Sequence, residues 1–318
     1  MTIPGVYIDE SIDLRKVDGI IFDCDGVLID ITKSYDSTIT NTVQYVLEKF
    51  AKINDSIRID HSIIDGFKST GGFNDEVDLA YAGILSIIAA KKLQKDSKLF
   101  INNVINNANS TGIISVEKFL EKLVDISDIK SILDYPGPHN TNLLYQIFDQ
   151  IFYGPELYFK VYGKKSNFSE SGLINYDDVI INDSLIKKLQ NRFTSKIALV
   201  TGRGKESVNY SLKNMLKTFD LKNSVFLEDE SRSMAKPNPE SLIRCISGMN
   251  SKITLYVGDS MEDFIMAKKA TILGNETIFC GIIGTSKDLE KKLKLFQNNG
   301  AVLILDSINL IPKILNLE

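Results

Sequence analysis

The chain has 318 residues, 43% hydrophobic and 25% charged, enough apolar material for one large or two linked domains and unlike a disordered polypeptide. A formal net charge of −4 offers no basic field for a phosphate backbone, which argues against nucleic acid as a general partner. Three cysteines without a short spacing, and two histidines (His61 and His139) far apart in the chain, argue against a disulfide framework, a thiolate metal site and histidine-based chemistry. The first residues lack a basic start followed by an apolar core, and no window approaches the roughly 18 to 20 apolar residues of a membrane span. A soluble cytoplasmic protein with free thiols and no membrane partner is expected.

The first element is the apolar run within "VDGIIFDCDGVLID", residues 17–30, which reads as a buried strand ending in a tight turn at Gly26. From residue 33 the pattern changes. Ile39, Val43, Val46, Leu47 and Phe50 form a helical stripe. "VDLAYAGILSIIAAKKL", "VEKFLEKLV" and "NLLYQIFDQIFYGPELYFKVY" read as further helices, without strand alternation between them. Within the second of these four helical segments, "ILSIIAA" is apolar on every side, which predicts burial inside the helical region or at a dimer interface. Strand-like runs resume at "KIALVTG", "SVFLED", "ITLYVGD", "ETIFCGIIG" and "AVLILD", separated by amphipathic stretches such as "GKESVNYSLKNMLKTF" and "NPESLIRCISGM". Alternating strands and helices predict an α/β fold, a Rossmann-like parallel sheet wrapped by helices. Its residues are 1–32 and 176–318, and residues 33–175 form a mostly α-helical insertion.

Residues two apart on a strand share a face, so Asp23 and Asp25 project together while Cys24 points into the packing. Either a divalent cation neutralises the two carboxylates or one of them stays protonated. Later strand ends supply companions: Thr201 before Gly202 and Arg203, Lys236 in "KPNPE", and Asp259 with Asp263 in "GDSMED". In a doubly wound sheet the carboxyl ends of the strands converge on one crevice. Each residue also has a bland reading. Thr201 or Asp259 can cap a helix, Lys236 can be a solvated loop charge, and Arg203 can lie on the surface.

"DCDGVL", "LVTGR", "KPNPE" and "GDSMED", in that order, resemble the four motifs of the haloacid dehalogenase superfamily, in its phosphatase branch. The helical insertion sits where that family places a cap domain. "SYDSTITNTV" and "GGFNDEVDL" resemble the cap of a smaller subgroup of it. The resemblance implies that Asp23 attacks phosphorus to form an aspartyl-phosphate, and that Asp25 first protonates the leaving oxygen and then activates water. It implies a Mg2+ cofactor held by Asp23, the Asp25 backbone, Asp259 and Asp263. Thr201 and Lys236 complete the catalytic set, and Gly26, Gly202 and Arg203 join Asp23, Thr201 and Lys236 around the phosphate. The expected substrate is a small phosphorylated metabolite, and the expected assembly a monomer or homodimer. A phosphomutase of the same superfamily and a non-catalytic module retaining the fold are the alternatives.

Selectivity for the leaving group is expected to lie in the helical insertion. Lys68 and Asn74, flanking Gly71 and Gly72 in "FKSTGGFNDE", are the candidate contacts, against a plain helix start capped by Asn74. The cluster of Tyr145, Phe148, Phe152, Tyr153, Tyr158, Phe159 and Tyr162 is expected to form core.

Overall fold

A computed structural model describes residues 3–9, 12–54, 59–73, 75–286 and 288–317. In chain order the elements begin with β1 (Val6–Ile8), β2 (Gly19–Phe22) and β3 (Ile29–Asp30). Helices α1 (Thr32–Val46), α2 (His61–Lys68), α3 (Glu76–Lys92), α4 (Ser97–Asn107), α5 (Ile113–Leu120), α6 (Ser127–Leu133) and α7 (Leu143–Tyr162) follow. Then come β4 (Asp178–Val179), α8 (Asp183–Phe193), β5 (Ile197–Thr201), α9 (Lys205–Leu212), β6 (Val225–Phe226) and α10 (Glu240–Met249). The chain closes with β7 (Thr254–Gly258), α11 (Met261–Ile272), β8 (Thr277–Ile282), α12 (Leu289–Asn298), β9 (Leu303–Leu305) and α13 (Ile311–Ile314). Contacts divide it into two units, Met1–Thr32 with Asp177–Glu318, and Lys33–Tyr176.

The first unit is an α/β layer structure. Its sheet runs β1-β9-β8-β7-β2-β5-β6, parallel throughout except where β1 meets β9. Strand β2 lies between β5 and β7, with Ile20 opposite Ile197 and Leu255. Its alternation feeds two cores. Ile20 and Phe22 pack with Leu199, Leu255 and Val257, while Ile21 packs with Ala198, Val200 and Tyr256. The strand expected at "SVFLED" shortens to Val225–Phe226 and turns into a 3-10 segment, Leu227–Asp229. The reason is tertiary: the Glu228 and Asp229 carboxylates accept the amides of Gly204 (2.8 Å) and Lys205 (2.9 Å) at the start of α9, which draws this segment out of the ladder. Where the chain leaves and re-enters the unit, β3 and β4 pair antiparallel, and the Asp30 carboxylate accepts the amide of Thr32 (2.9 Å) to start α1.

The second unit is helical. The α1 stripe of Ile39, Val43 and Val46, continued by Leu47, is buried. Every residue of α3 from Leu79 to Ala90 is buried within this unit, so "ILSIIAA" is core rather than a surface held for a partner. Helix α3 is capped by Asp75, whose carboxylate accepts the amide of Val77 (2.8 Å); the cap position suggested for Asn74 falls outside the described residues. Helix α5 ends at Leu120, earlier than its apolar pattern predicts. Helix α7 kinks at Gly154, whose φ of 71° precedes Pro155. Tyr145, Phe148, Phe152, Tyr153 and Tyr158 enter the core as expected, but Phe159 is exposed. Among the described residues no helix is long and apolar enough to cross a membrane.

Candidate active site

Two strand ends and the first turn of a helix deliver the acidic cluster. Strand β2 stops at Phe22, and the Asp23 amide still bonds to the Val257 carbonyl (2.9 Å), which extends the ladder by one residue into the site. Strand β7 stops at Gly258, just before Asp259. Helix α11 then opens with a capping box: the Ser260 hydroxyl accepts the Asp263 amide (3.1 Å), and the Asp263 carboxylate accepts the Ser260 amide (3.1 Å). The result is that carboxylate oxygens of Asp23, Asp259 and Asp263 lie within 4.8 Å of one another.

Buried lysine charge joins them. The Lys236 ammonium contacts Asp23 at 2.9 Å and Asp263 at 2.8 Å, with side chains of Lys236, Asp23 and Asp263 at most 10% exposed. Burial opposes the charged form of Lys236, but the two carboxylates outweigh it and hold the ammonium above its ordinary range. Asp263 is held below the usual carboxylate range: burial opposes this, and Lys236 together with hydrogen bonds from Tyr256 and Ser260 prevails. Asp23 is pushed up to about 8, by burial first, against the pull of Lys236 and with help from Asp263, Asp25 and Asp259. The neighbouring acids thus crowd Asp23 enough to help lift it, and the cluster's donors are hard oxygens. These residues fit a hard divalent cation.

Thr201 is fully buried at the end of β5, and its hydroxyl oxygen accepts the Arg203 amide (3.3 Å). Helix α9 starts only at Lys205 with Gly204 as its cap residue, so Thr201 is not a helix cap. Asp259 is not one either, since Ser260 holds that place.

The haloacid dehalogenase-like hydrolase sequence profile matches residues 17–271, most of the chain. The chain belongs to this hydrolase family. No curated protein matches it. Among solved structures, Phosphatase Tt82 from Thermococcus thioreducens aligns with a TM-score of 0.59 at 21% identity, over 87% of this chain and 98% of that one. A predicted phosphoglycolate phosphatase from Haemophilus somnus 129pt aligns with a TM-score of 0.50 at 12% identity, over 95% and 99%. Both likenesses are to the fold.

Other sequence candidates in this haloacid dehalogenase-like hydrolase take different places. Asp25 stands outside the three-acid cluster, with its Oδ1 accepting Arg203 Nε at 2.6 Å. Arg203 is not a surface residue: its side chain is 2% exposed. Gly26 donates its amide to the Ile29 carbonyl (2.9 Å), and Cys24 donates its own to Asp23 Oδ1 (2.7 Å). Gly26 serves the site by shape. Its φ is +70°, and a Cβ there would come within 2.4 Å of Asp259 Oδ2. Gly202 is exposed. Cys24 is buried, and burial, followed by Asp23 and Asp25, pushes its thiol up, as expected of core filling. In the helical unit Lys68 pairs with Glu76 at 3.3 Å.

Sequence reasoning missed four residues of this hydrolase. The Tyr256 hydroxyl donates to Asp263 Oδ1 (2.7 Å) from inside β7. Lys292 of α12 contacts Asp259 at 2.8 Å, and the Thr285 hydroxyl donates to the Gly26 carbonyl (3.0 Å). Asp177 contacts Arg203 at 2.7 Å. Tyr256 had a faint signal, a polar tip in an otherwise apolar strand. Lys292 had none, because "LEKKLKLF" reads as an ordinary amphipathic helix with solvated lysines.

Proposed function

We propose that the protein is a Mg2+-dependent phosphomonoester hydrolase of a small phosphorylated metabolite, working through an aspartyl-phosphate. The observation that carries this reading is the Asp23, Asp259 and Asp263 cluster closed on Lys236. The name of the Thermococcus thioreducens neighbour, a phosphatase, agrees with it.

In this reading an Asp23 carboxylate oxygen attacks phosphorus, forming a P–O bond to Asp23 as the bond to the substrate's alkoxide breaks. Asp25 gives that alkoxide its proton. A water molecule then attacks the aspartyl-phosphate, Asp25 takes its proton, and Asp23 and inorganic phosphate are released. Lys236 and the Thr201 hydroxyl offset the charge spread over the phosphoryl oxygens. Asp263, held by Ser260 and Tyr256, keeps Lys236 in place. A divalent cation at Asp23 and Asp259, with Asp263 and the Asp25 backbone nearby in the chain, would supply the further positive charge that phosphoryl transfer requires.

The test is phosphate release from p-nitrophenyl phosphate and a panel of phosphorylated metabolites with Mg2+. Wild type should turn over and Asp23→Asn should not. Undiminished turnover in excess EDTA would overturn the metal assignment, and no release from any ester would overturn the hydrolase reading.

A further inference from the structure

Arg203 belongs to a buried constellation that the phosphate chemistry above leaves unexplained. Its Nη1 donates to Asp177 Oδ2 (2.7 Å) and lies 3.1 Å from Ser211 Oγ, and the Ser211 hydroxyl itself donates to the same Asp177 oxygen (2.8 Å). Its Nε donates to Asp25 Oδ1 at 2.6 Å. The side chains of Arg203 and Asp177 are 2% and 3% exposed, while that of Asp25 is 24% exposed. The guanidinium is thus anchored at its inner end and presents Nε to the one carboxylate of the set that opens outward. A planar guanidinium fixed at two points gives a directional hydrogen bond that a lysine ammonium does not reproduce.

Buried arginine and aspartate are costly to desolvate, and such a pair is retained at little or no net stability gain against an apolar replacement. Holding Asp25 explains the expense. Asp25 lies outside the three-acid cluster and immediately precedes Gly26, whose positive φ forms the turn, so backbone geometry alone leaves its side-chain torsions open. A proton donor must meet the leaving oxygen at hydrogen-bond distance, and misplacement of about 1 Å costs on the order of 10²-fold.

We infer that Arg203, anchored by Asp177 and Ser211, is the positioning residue that aims the Asp25 carboxyl at the leaving-group oxygen. The inference rests on the phosphatase reading and extends it. Asp25 performs the proton transfer, and Arg203 acts only through it.

Leaving-group dependence tests this. Nitrophenolate departs from phosphorus without a proton, whereas a simple alkoxide needs one, and kcat/KM reports the first transfer to Asp23 alone. With Mg2+ present, Arg203→Met should lower kcat/KM for an alkyl phosphate such as glycerol phosphate by about 10²-fold, and for p-nitrophenyl phosphate only a few-fold. Asp25→Asn should show the same asymmetry. Arg203→Lys should restore part of the loss on the alkyl ester, and added guanidinium ion should partly rescue Arg203→Met on that ester. If Arg203→Met does not fold, as judged by circular dichroism and thermal melting, Asp177→Asn and Arg203→Lys provide the same comparison. Equal losses on the two esters, or no loss, in folded Arg203 and Asp177 variants while Asp25→Asn keeps its asymmetry would overturn the positioning role. An Asp25→Asn variant equally impaired on both esters would overturn it together with the proton-donor role of Asp25. A wild type that releases phosphate from neither ester would overturn the phosphatase reading itself, and this inference with it.

Discussion

In the α/β unit the buried polar side chains around the strand ends meet acid against base: Asp23 and Asp263 on Lys236, and Asp25 on Arg203. The helical unit treats its polar interior differently. There buried tyrosines give neutral hydroxyls to carboxylates: Tyr135 to Asp78 (2.6 Å), Tyr145 to Asp75 (2.6 Å) and Tyr81 to Glu117 (2.7 Å). Asp149 is met by the Tyr162 hydroxyl and the His139 ring, both at 2.9 Å. A hydroxyl satisfies a carboxylate without bringing a second ion out of water, so this arrangement is the less expensive way to specify a packed interior. Ions held away from water act strongly on a developing charge, which suits the phosphoryl transfer proposed above. The α/β unit is therefore built for electrostatic work, and the helical unit for packing.

The contrast is sharpest at Asp23. Asp23→Asn should cut turnover by at least about 10³-fold yet leave the thermal midpoint unchanged or higher, because it removes one of several crowded carboxylates. Parallel turnover assays and melting curves without metal read both effects; a large drop in midpoint would show that Asp23 stabilises the fold.

Removing the cation should do the reverse. Lys236→Met leaves Asp23 and Asp263 buried without their shared partner and should cost about 3 to 5 kcal/mol in urea unfolding, besides activity. In the helical unit Tyr135→Phe should cost only about 1 to 2 kcal/mol, with faster hydrogen exchange confined to residues 33–176. A loss at Tyr135 as large as that at Lys236 would erase the distinction between the two units.

The smallest effect is expected at Asp18, where the charge is partly exposed. Burial opposes its ionised form, but Lys196 and bonds from Ile253, Ser251 and Lys252 outweigh this and hold its carboxyl well below the ordinary 3.8. A depressed folded value stabilises the protein above 3.8 and stops doing so as pH falls further. The melting gap between wild type and Asp18→Asn should therefore be constant from neutrality to about pH 5, begin to narrow near 3.8 and go on narrowing as pH falls through the depressed folded value. A gap that widens in acid would refute the assignment.

Much of the α/β layer was legible because its signals are local. Apolar runs ending in Gly or Asp mark β2, β5 and β7, and period-two alternation on β2 puts Ile20 and Phe22 in one core and Ile21 in the other. β6 was overestimated because the residues that shorten it, Glu228 and Asp229, act on amides 24 positions away. In the helical unit the α1 stripe and the burial of α3 were readable from spacing. Phe159 was misjudged because apolar content cannot say which face of α7 beyond the Gly154 kink meets solvent.

Local chemistry thus sufficed for a parallel sheet of alternating strands and helices and for the acids that follow its strands, but not for the short strands β1, β3 and β4 or the order in which the strands pair, since backbone periodicity and turn residues act only within a few positions. The partners of those acids depended on the folded chain. Arg203 and Asp25 are 178 residues apart, and Lys292 and Asp259 are 33 apart on a helix and a strand end. Nothing in an arginine after a Thr-Gly pair, or in a lysine on an amphipathic helix, distinguishes a solvated charge from a buried one. That choice is made by which surfaces the sheet brings together, because only packing removes the water that would otherwise be the partner.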